Sequence, residues 1–587
     1  MGAAARTTSA PRLTRLLPIL DWSRRYDRRW LRGDLIAGIA VAAMIVPKDL
    51  GYAGIAGIPV ENGLYAAAAA AIIYGLFCTS RHISTSPSSS LAAVAGGAVL
   101  VTGLSGGEAA QLVAAIAVAT GALFLLVAIL KLGWLASFLS RAVVTGFLAG
   151  AAIDVVIGEL TKLTGTSADG VNAWQELASW LRGLGGLSPV TLLVGLLALS
   201  VILGLRRASS RTPGALVLVV GGLICSVALD LDTHGVALVG PVPRGLPLPQ
   251  VPSIELVAQN LPVVVIAAFA LLLIGFSQTA GDAQAFATRH RYRIDLNQES
   301  VAQGMANLGA GMLQGMPVST SLSASSLNES AGARTAAASL VTGAIVFATL
   351  ILLAPLFAEL PKAVLAAIII DAVVFGMIDL AEFKRLRRVK RFDFWIAMAA
   401  LLSVLSVGVL FGVIVGIVLS LLWLIHVATR PSMPILGRKP GTEVYRDLAE
   451  HPGDETDPGV VVVRIEGGVF FATASALDER VRAILRSEAE VHSLVLDLAG
   501  VTFVDSQGAG KIGELQELTE AEGVELRLAR LKPEVSEVLA ADGVIDVIGR
   551  DRIHGRVQGA VAAAHATRAG TPSAAAYPPT IKDIRTG

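Results

Sequence analysis

From about Asp34 to Val427 the sequence is a near-continuous series of apolar runs broken by short turns, and beyond Arg430 it takes the composition of a soluble domain. A bilayer crossing needs about 20 apolar residues, so about 12 to 14 spans fit in the first stretch. The rest is long enough for one domain with its own core. Only 16% of the 587 residues are charged, against about 25% in soluble proteins, which excludes a single water-soluble globule. A net charge of +1 leaves no basic field to collect phosphates, so no nucleic-acid partner is expected. The two cysteines, Cys78 and Cys225, lie in apolar runs, which excludes a disulfide framework and a cysteine-rich metal site. The Arg-rich N-terminus has no apolar core or cleavage site, so no cleavable signal peptide is expected.

The spans are expected near 34–56, 62–78, 87–104, 109–130, 138–158, 187–205, 213–230, 259–285, 298–313, 317–332, 335–356, 361–378, 392–409 and 411–428. Four cationic clusters test the threading: Arg24 to Arg32; Arg206, Arg207 and Arg211; Arg289 to Arg293; and Lys384 to Arg391. With fourteen spans all four fall on one side, together with the C-terminal domain. The positive-inside rule makes that side the cytoplasm, in a multi-pass cell-membrane protein with both termini inside. The 230–258 connection, with Arg244 as its one arginine, falls outside.

Two short internal repeats stand out. ISTSPSSSL at 83–91 resembles VSTSLSASSL at 318–327, and LSRAVVTGF at 139–147 resembles LPKAVLAAI at 360–368. The two halves match in the same order. Seven spans per half is an odd number, so the second half runs inverted, the architecture of secondary transporters. The other reading is coincidence in an Ala- and Ser-rich chain.

Both repeats place Ser and Thr where an apolar span begins, after Pro87 and Pro317, and a proline suits the first turn of a helix. Half-helices starting in mid-membrane aim unpaired N–H groups and a positive dipole end into a cavity. Ser88, Ser89 and Ser90, with Thr320, Ser321 and Ser323, would add hydroxyl donors. The bland alternative has these serines bonded back to their own helix turns. Lys48, Asp49, Asp154, Asp282 and Asp371 put charge inside apolar spans, where each costs about 2.5–3.5 kcal/mol on insertion scales and is by default a functional candidate. Lys48 and Asp49 follow Pro47, where the first span is expected to be interrupted. Gln278 and Asp282 share one helix face. Asp282 is the candidate for a coupling proton or cation, or else a structural partner. Asp154 and Asp371 suggest only a packing or gating hydrogen bond.

PKDLGYAGIAGIPVENGLY (47–65), GLFCTSRHISTSP (75–87), HRYRIDLNQE (290–299), GMPVSTS (315–321) and AGART (331–335) together resemble the sulfate permease family of anion transporters. The resemblance implies fourteen spans in two inverted repeats, a core moving against a gate, a homodimer and a C-terminal STAS domain. It implies a small inorganic or organic anion held between the opposed ends of spans 3 and 10. Candidate binding residues are then Lys48, Tyr52, Ser86, Ser88, Ser89, Gln278, Thr320, Ser321 and Ser323. Three positions depart from the family pattern: Lys48 stands where Gln is common, Ala324 where Arg is common, and Gln278 at the usual carboxylate, with Asp282 one turn on.

In the tail, 460–465 and 493–498 are expected as strands and 475–488 and 508–522 as helices, an α/β domain. LDLAGVTFVDSQGAG (496–510) resembles the STAS loop, which makes Ser506 a candidate phosphosite, although Gln507 replaces a small residue. GAGKI lacks the Ser or Thr and the earlier Gly of a phosphate loop. The expected division is a basic arm at 1–33, a transport domain at 34–430, a linker at 431–459, STAS at 460–560 and a disordered tail at 561–587. The leading expectation is a secondary transporter of a sulfate-like, bicarbonate-like or dicarboxylate anion. It would be proton- or sodium-coupled or exchanging, need no cofactor or metal, and carry a site for a cytoplasmic protein on its STAS domain. An anion channel and a membrane sensor signalling through STAS are the alternatives. An enzyme is not expected.

Overall fold

Fourteen helices of the computed structural model, which describes residues 17–568 apart from 133–139, 171, 209–213 and 488–489, occupy the positions of the expected spans. They are α1 (Leu31–Ile55), α2 (Glu61–Phe77), α3 (Ser89–Thr102), α4 (Gly106–Leu130), α5 (Arg141–Thr164), α6 (Pro189–Ala208) and α7 (Gly214–Ala228). The second seven are α8 (Leu261–His290), α9 (Leu296–Met312), α10 (Leu322–Ser330), α11 (Ala337–Leu352), α12 (Lys362–Met377), α13 (Arg391–Val407) and α14 (Val409–Ala428). Seven helical stretches among the described residues are long and apolar enough to cross a membrane by themselves. Arg211 lies outside the described residues.

The two shortest members are α10 and α3, and a pair of two-residue strands, β1 (Thr85–Ser86) and β2 (Ser319–Thr320), leads into them. The strands pair antiparallel, Thr85 with Thr320 and Ser86 with Ser319, and Ser321 N donates to Ser84 O at 3.0 Å. Thr85 and Thr320 are the same position of the repeated STS motif. Equivalent residues therefore face one another, the arrangement that a local two-fold axis produces. The second repeat motif behaves likewise, since α5 begins at Arg141 and α12 at Lys362.

Three expectations are corrected. Pro47 does not interrupt the first span: α1 runs unbroken through it, because neighbouring helices support a proline-containing membrane helix. Neither Pro87 nor Pro317 occupies a first helical turn, since α3 is capped by Ser88 and α10 by Ser321. Both prolines instead belong to the extended segments, where a fixed φ favours strand-like backbone.

Small residues let the helices pack closely. A Cβ on Gly121 of α4 would lie 2.7 Å from Gly304 O of α9, an approach only glycine permits. Two fully buried carboxylates fasten the connections. Asp34 accepts from Tyr26 Oη (3.0 Å), Arg334 N (2.6 Å), Thr335 N (3.1 Å) and Thr335 Oγ1 (2.7 Å). Glu299 accepts from Tyr74 Oη (2.5 Å), Thr79 N (2.8 Å), Thr79 Oγ1 (2.5 Å) and Ser80 N (2.8 Å).

The chain divides into two compact units, Met1–Ser420 and Leu421–Gly587. The second contains a parallel sheet of β5 (Val460–Arg464), β6 (Ser493–Asp497), β7 (Glu525–Ala529) and β8 (Ile553–His554), in that order. Its core is the buried face of Val461, Val463, Leu494, Leu496, Leu526 and Leu528, where alternate residues of the strands point the same way. Helices α15 (Ala474–Ser487) and α16 (Ser506–Ala521) follow the first two of these strands. The stretch expected as a linker holds β3 (Leu436–Arg438) and β4 (Tyr445–Asp447), a hairpin whose Leu436 and Tyr445 pack with Val460 and Val462. Three-residue strands are too short to leave a periodic signal. The tail expected as disordered from 561 is helical through Arg568, with Val561, Ala563 and Ala564 buried; 569–587 lies outside the described residues.

Candidate functional site

The antiparallel strand pair sets two helix beginnings against one cavity, of about 490 Å³. All ten candidate residues line it: Lys48 and Tyr52 from α1, Ser86, Ser88 and Ser89 at the start of α3, Gln278 and Asp282 from α8, and Thr320, Ser321 and Ser323 at the start of α10. At α3 the capping position is Ser88, whose side chain accepts no bond from the first turn. That leaves backbone donors of the first turn directed at the cavity. At α10 the Ser321 hydroxyl accepts from Ala324 N at 3.3 Å. Ser88 with Ser90 and Ser321 with Ser323 form matching hydroxyl pairs, each at 3.2 Å. The serines therefore bond locally and line the cavity, so the two readings of them are compatible.

Gln278 joins the two repeats. Its Nε2 donates to Ser90 Oγ at 3.2 Å, and Ser319 Oγ donates to its Oε1 at 2.6 Å. One turn further along α8, Asp282 Oδ2 accepts from Thr320 Oγ1 at 2.8 Å. Lys48 is the single cation among the lining residues and makes no ion pair among the described residues, while Asp49 and Asp282 contribute carboxylates. Asp49 is fully buried, with both oxygens unpartnered among the described residues. Ala324 is fully buried in the cluster that includes Ile45 and Leu50 of α1, and is not part of the cavity lining.

Sequence reasoning missed Ser319 and the pair behind the cavity wall. Asp371 of α12 receives both Arg206 Nε (2.8 Å) and Nη2 (2.6 Å). The guanidinium stands 4.2 Å from the centroid of Phe375, itself one of the residues that line the cavity. Arg206 had counted only as one of a loop cluster. No spacing rule links residues 165 positions apart. Asp154 lies on α5, off the cavity lining. In the second unit Ser506 is exposed at the first residue of α16, and the preceding Asp505 caps that helix through Gly508 N at 2.7 Å.

The sulfate permease family model matches residues 31–400 and the STAS domain model residues 451–560. A Mycobacterium tuberculosis (strain CDC 1551 / Oshkosh) protein named "Probable sulfate transporter" is 33% identical, covering 90% of this chain and 94% of that one. Solute carrier family 26 member 10 of Mus musculus is 31% identical over 94% of this chain and 86% of its own. Among solved structures, the murine Solute Carrier 26 family member A9 anion transporter in the inward-facing state superposes with a TM-score of 0.87 at 21% identity. That match covers 96% of this chain and 97% of that one and shows the shared fold. The transmembrane domain of the cyanobacterial bicarbonate transporter BicA gives 0.58 at 23%, over 67% and 98%.

Fold, cavity and relatives define a polytopic membrane transporter of anions with a C-terminal STAS domain, and not an enzyme. The chain belongs to the sulfate permease family.

Proposed function

We propose that this protein carries a small oxyanion, sulfate-like or bicarbonate-like, by alternating access and in company with a proton or sodium ion. The observation that supports this reading most is the cavity itself, where two half-helix beginnings, nine hydroxyls and the Lys48 ammonium converge. Partial charges and hydroxyl donors stabilise an anion at modest desolvation cost. The charges argue for coupling. Among the described residues, one cation against two carboxylates makes the lining formally anionic, which opposes anion entry. A proton or cation on Asp282 removes one negative charge and leaves the lining formally neutral, so that anion entry is no longer opposed. Relatives named as sulfate and bicarbonate transporters support the choice of anion.

The same reading puts both termini in the cytoplasm, on the side of the arginine clusters, and has the protein act as a homodimer in the cell membrane. Ser506 is exposed for modification, and a cytoplasmic protein is the natural partner of the STAS surface around it.

Uptake of radiolabelled sulfate, bicarbonate, chloride and fumarate into proteoliposomes, with and without Na⁺ and pH gradients, tests this. Saturable, gradient-driven accumulation of an oxyanion is expected. Passive, non-saturating flux would make the protein a channel, and no flux of any anion would favour a sensor.

A further inference from the structure

A second cleft, of about 530 Å³, lies where α1 begins, and four arginines converge on it. Arg29 comes from the helical turn just before α1, Arg32 from the first turn of α1, Arg81 from the connection between α2 and α3, and Arg334 from that between α10 and α11. Three separate segments thus deliver positive charge to one place. Two of them, α1 and the connection between α10 and α11, meet backbone to backbone: a Cβ on Gly33 would sit 2.4 Å from Gly332 O. Gly332 has φ +106°, a backbone form that glycine alone adopts without strain.

None of the four guanidinium groups forms an ion pair among the described residues. The nearby acids are otherwise engaged. Asp34 is filled by Tyr26, Thr335 and the backbone of Arg334. Glu329 is taken by Arg289 and His290, and Asp27 accepts from the backbone of Arg29. Arg81 lies over the ring of Tyr292, 5.4 Å from its centroid. Four uncompensated like charges around a recess repel one another unless an anion joins them. The planar guanidinium fork suits a phosphate.

The cleft borders an apolar strip. Ile36, one of its lining residues, is 48% exposed, and Leu31, Leu35 and Ile39 follow one another on the next face of α1 at 49%, 40% and 56%. Four-residue spacing makes that strip continuous along the helix. The indole of Trp30 also lines the cleft, and tryptophan favours the headgroup level of a bilayer. We propose that this cleft binds the phosphate headgroup of an anionic phospholipid, whose acyl chains lie along the Leu31–Leu35–Ile39 strip. The bound lipid clamps α1 to the segment entering α3 and the segment leaving α10, and so stiffens the frame around the transport cavity. None of these residues lines that cavity.

The test uses the full-length protein in nanodiscs of phosphatidylcholine alone or mixed with phosphatidylglycerol. The melting temperature of the parent should rise by several degrees in the mixed discs. The double variant Arg81→Gln/Arg334→Gln should match the parent in phosphatidylcholine and lose the rise. The control Arg24→Gln/Arg25→Gln, outside the cleft, should keep it. A rise retained by the cleft variant, or lost by the control, overturns the site. An equal rise from inorganic pyrophosphate in phosphatidylcholine discs overturns the lipid as its occupant. Native mass spectrometry of the parent gives a readout independent of any variant's folding. Retention of phosphatidylglycerol over phosphatidylcholine is expected, and equal retention rejects the proposal.

Discussion

Thr320 and Asp282 are joined by a 2.8 Å hydrogen bond between the start of one half-helix and the long α8. The bond makes the carboxylate part of the same network as the hydroxyls facing the cavity. Asp282→Asn keeps a hydrogen-bond acceptor for Thr320 but removes the titratable charge. Gradient-driven accumulation should then disappear while exchange of labelled for unlabelled anion persists. Undiminished accumulation by the mutant would reject Asp282 as the coupling group.

Lys48 offers the one formal positive charge among the described residues that line the cavity. A hydrogen bond to a charged group is worth about 1.5–3 kcal/mol, so Lys48→Gln should weaken anion binding by roughly 10- to 100-fold, measured by calorimetry or uptake competition. Adding Ala324→Arg should not restore it, because Ala324 is fully buried away from the cavity. An unaltered affinity in the single mutant makes Lys48 structural.

Glu299 fastens the connection ahead of α3 by accepting from two backbone amides and three side-chain hydroxyls. Glu299→Ala leaves those donors buried without an acceptor, at about 1–3 kcal/mol for each that water cannot reach. The full-length protein should melt at a clearly lower temperature, whereas Glu299→Gln, which keeps one acceptor oxygen, should lose less. A melting temperature unchanged in Glu299→Ala would show that the connection is held elsewhere.

Asp497, fully buried in the STAS sheet, would have its carboxyl pushed up by burial. The Arg530 and Arg464 hydrogen bonds outweigh that and hold it below the usual carboxylate range. A depressed pKa contributes stability that is present above the unfolded value of about 3.9 and is lost as pH falls through the folded one. Amides of β5 to β7 should therefore keep full exchange protection at neutral pH and lose it first under strongly acidic conditions. Asp497→Asn should flatten that dependence; an unaltered acid profile in the mutant would exclude this group.

Much of the frame was legible in the chain because membrane burial imposes long apolar runs, and the repeated STS at 84–86 and 319–321 marked where they break. The ten cavity residues could be named because hydroxyls and charges are conspicuous against Ala, Val and Leu. Their partners could not. Gln278 has one amide and many serines within sequence reach, and only the fold selects Ser90 and Ser319. The Arg206–Asp371 pair hid for a related reason, since an arginine near a loop reads as solvated until α6 and α12 are brought together. The β3–β4 hairpin and the closing helix Val557–Arg568 were lost to short strands and an Ala-rich composition that resembles a tail.

The pairing of Thr85 with Thr320 carries a mechanical corollary. Residues on a two-fold axis are related by rotation alone, so trading the conformations of the two halves turns the molecule over without moving that pair. In the proposed alternating access, one set of side chains would then serve as vestibule toward either face, with four residues of extended backbone as the fulcrum.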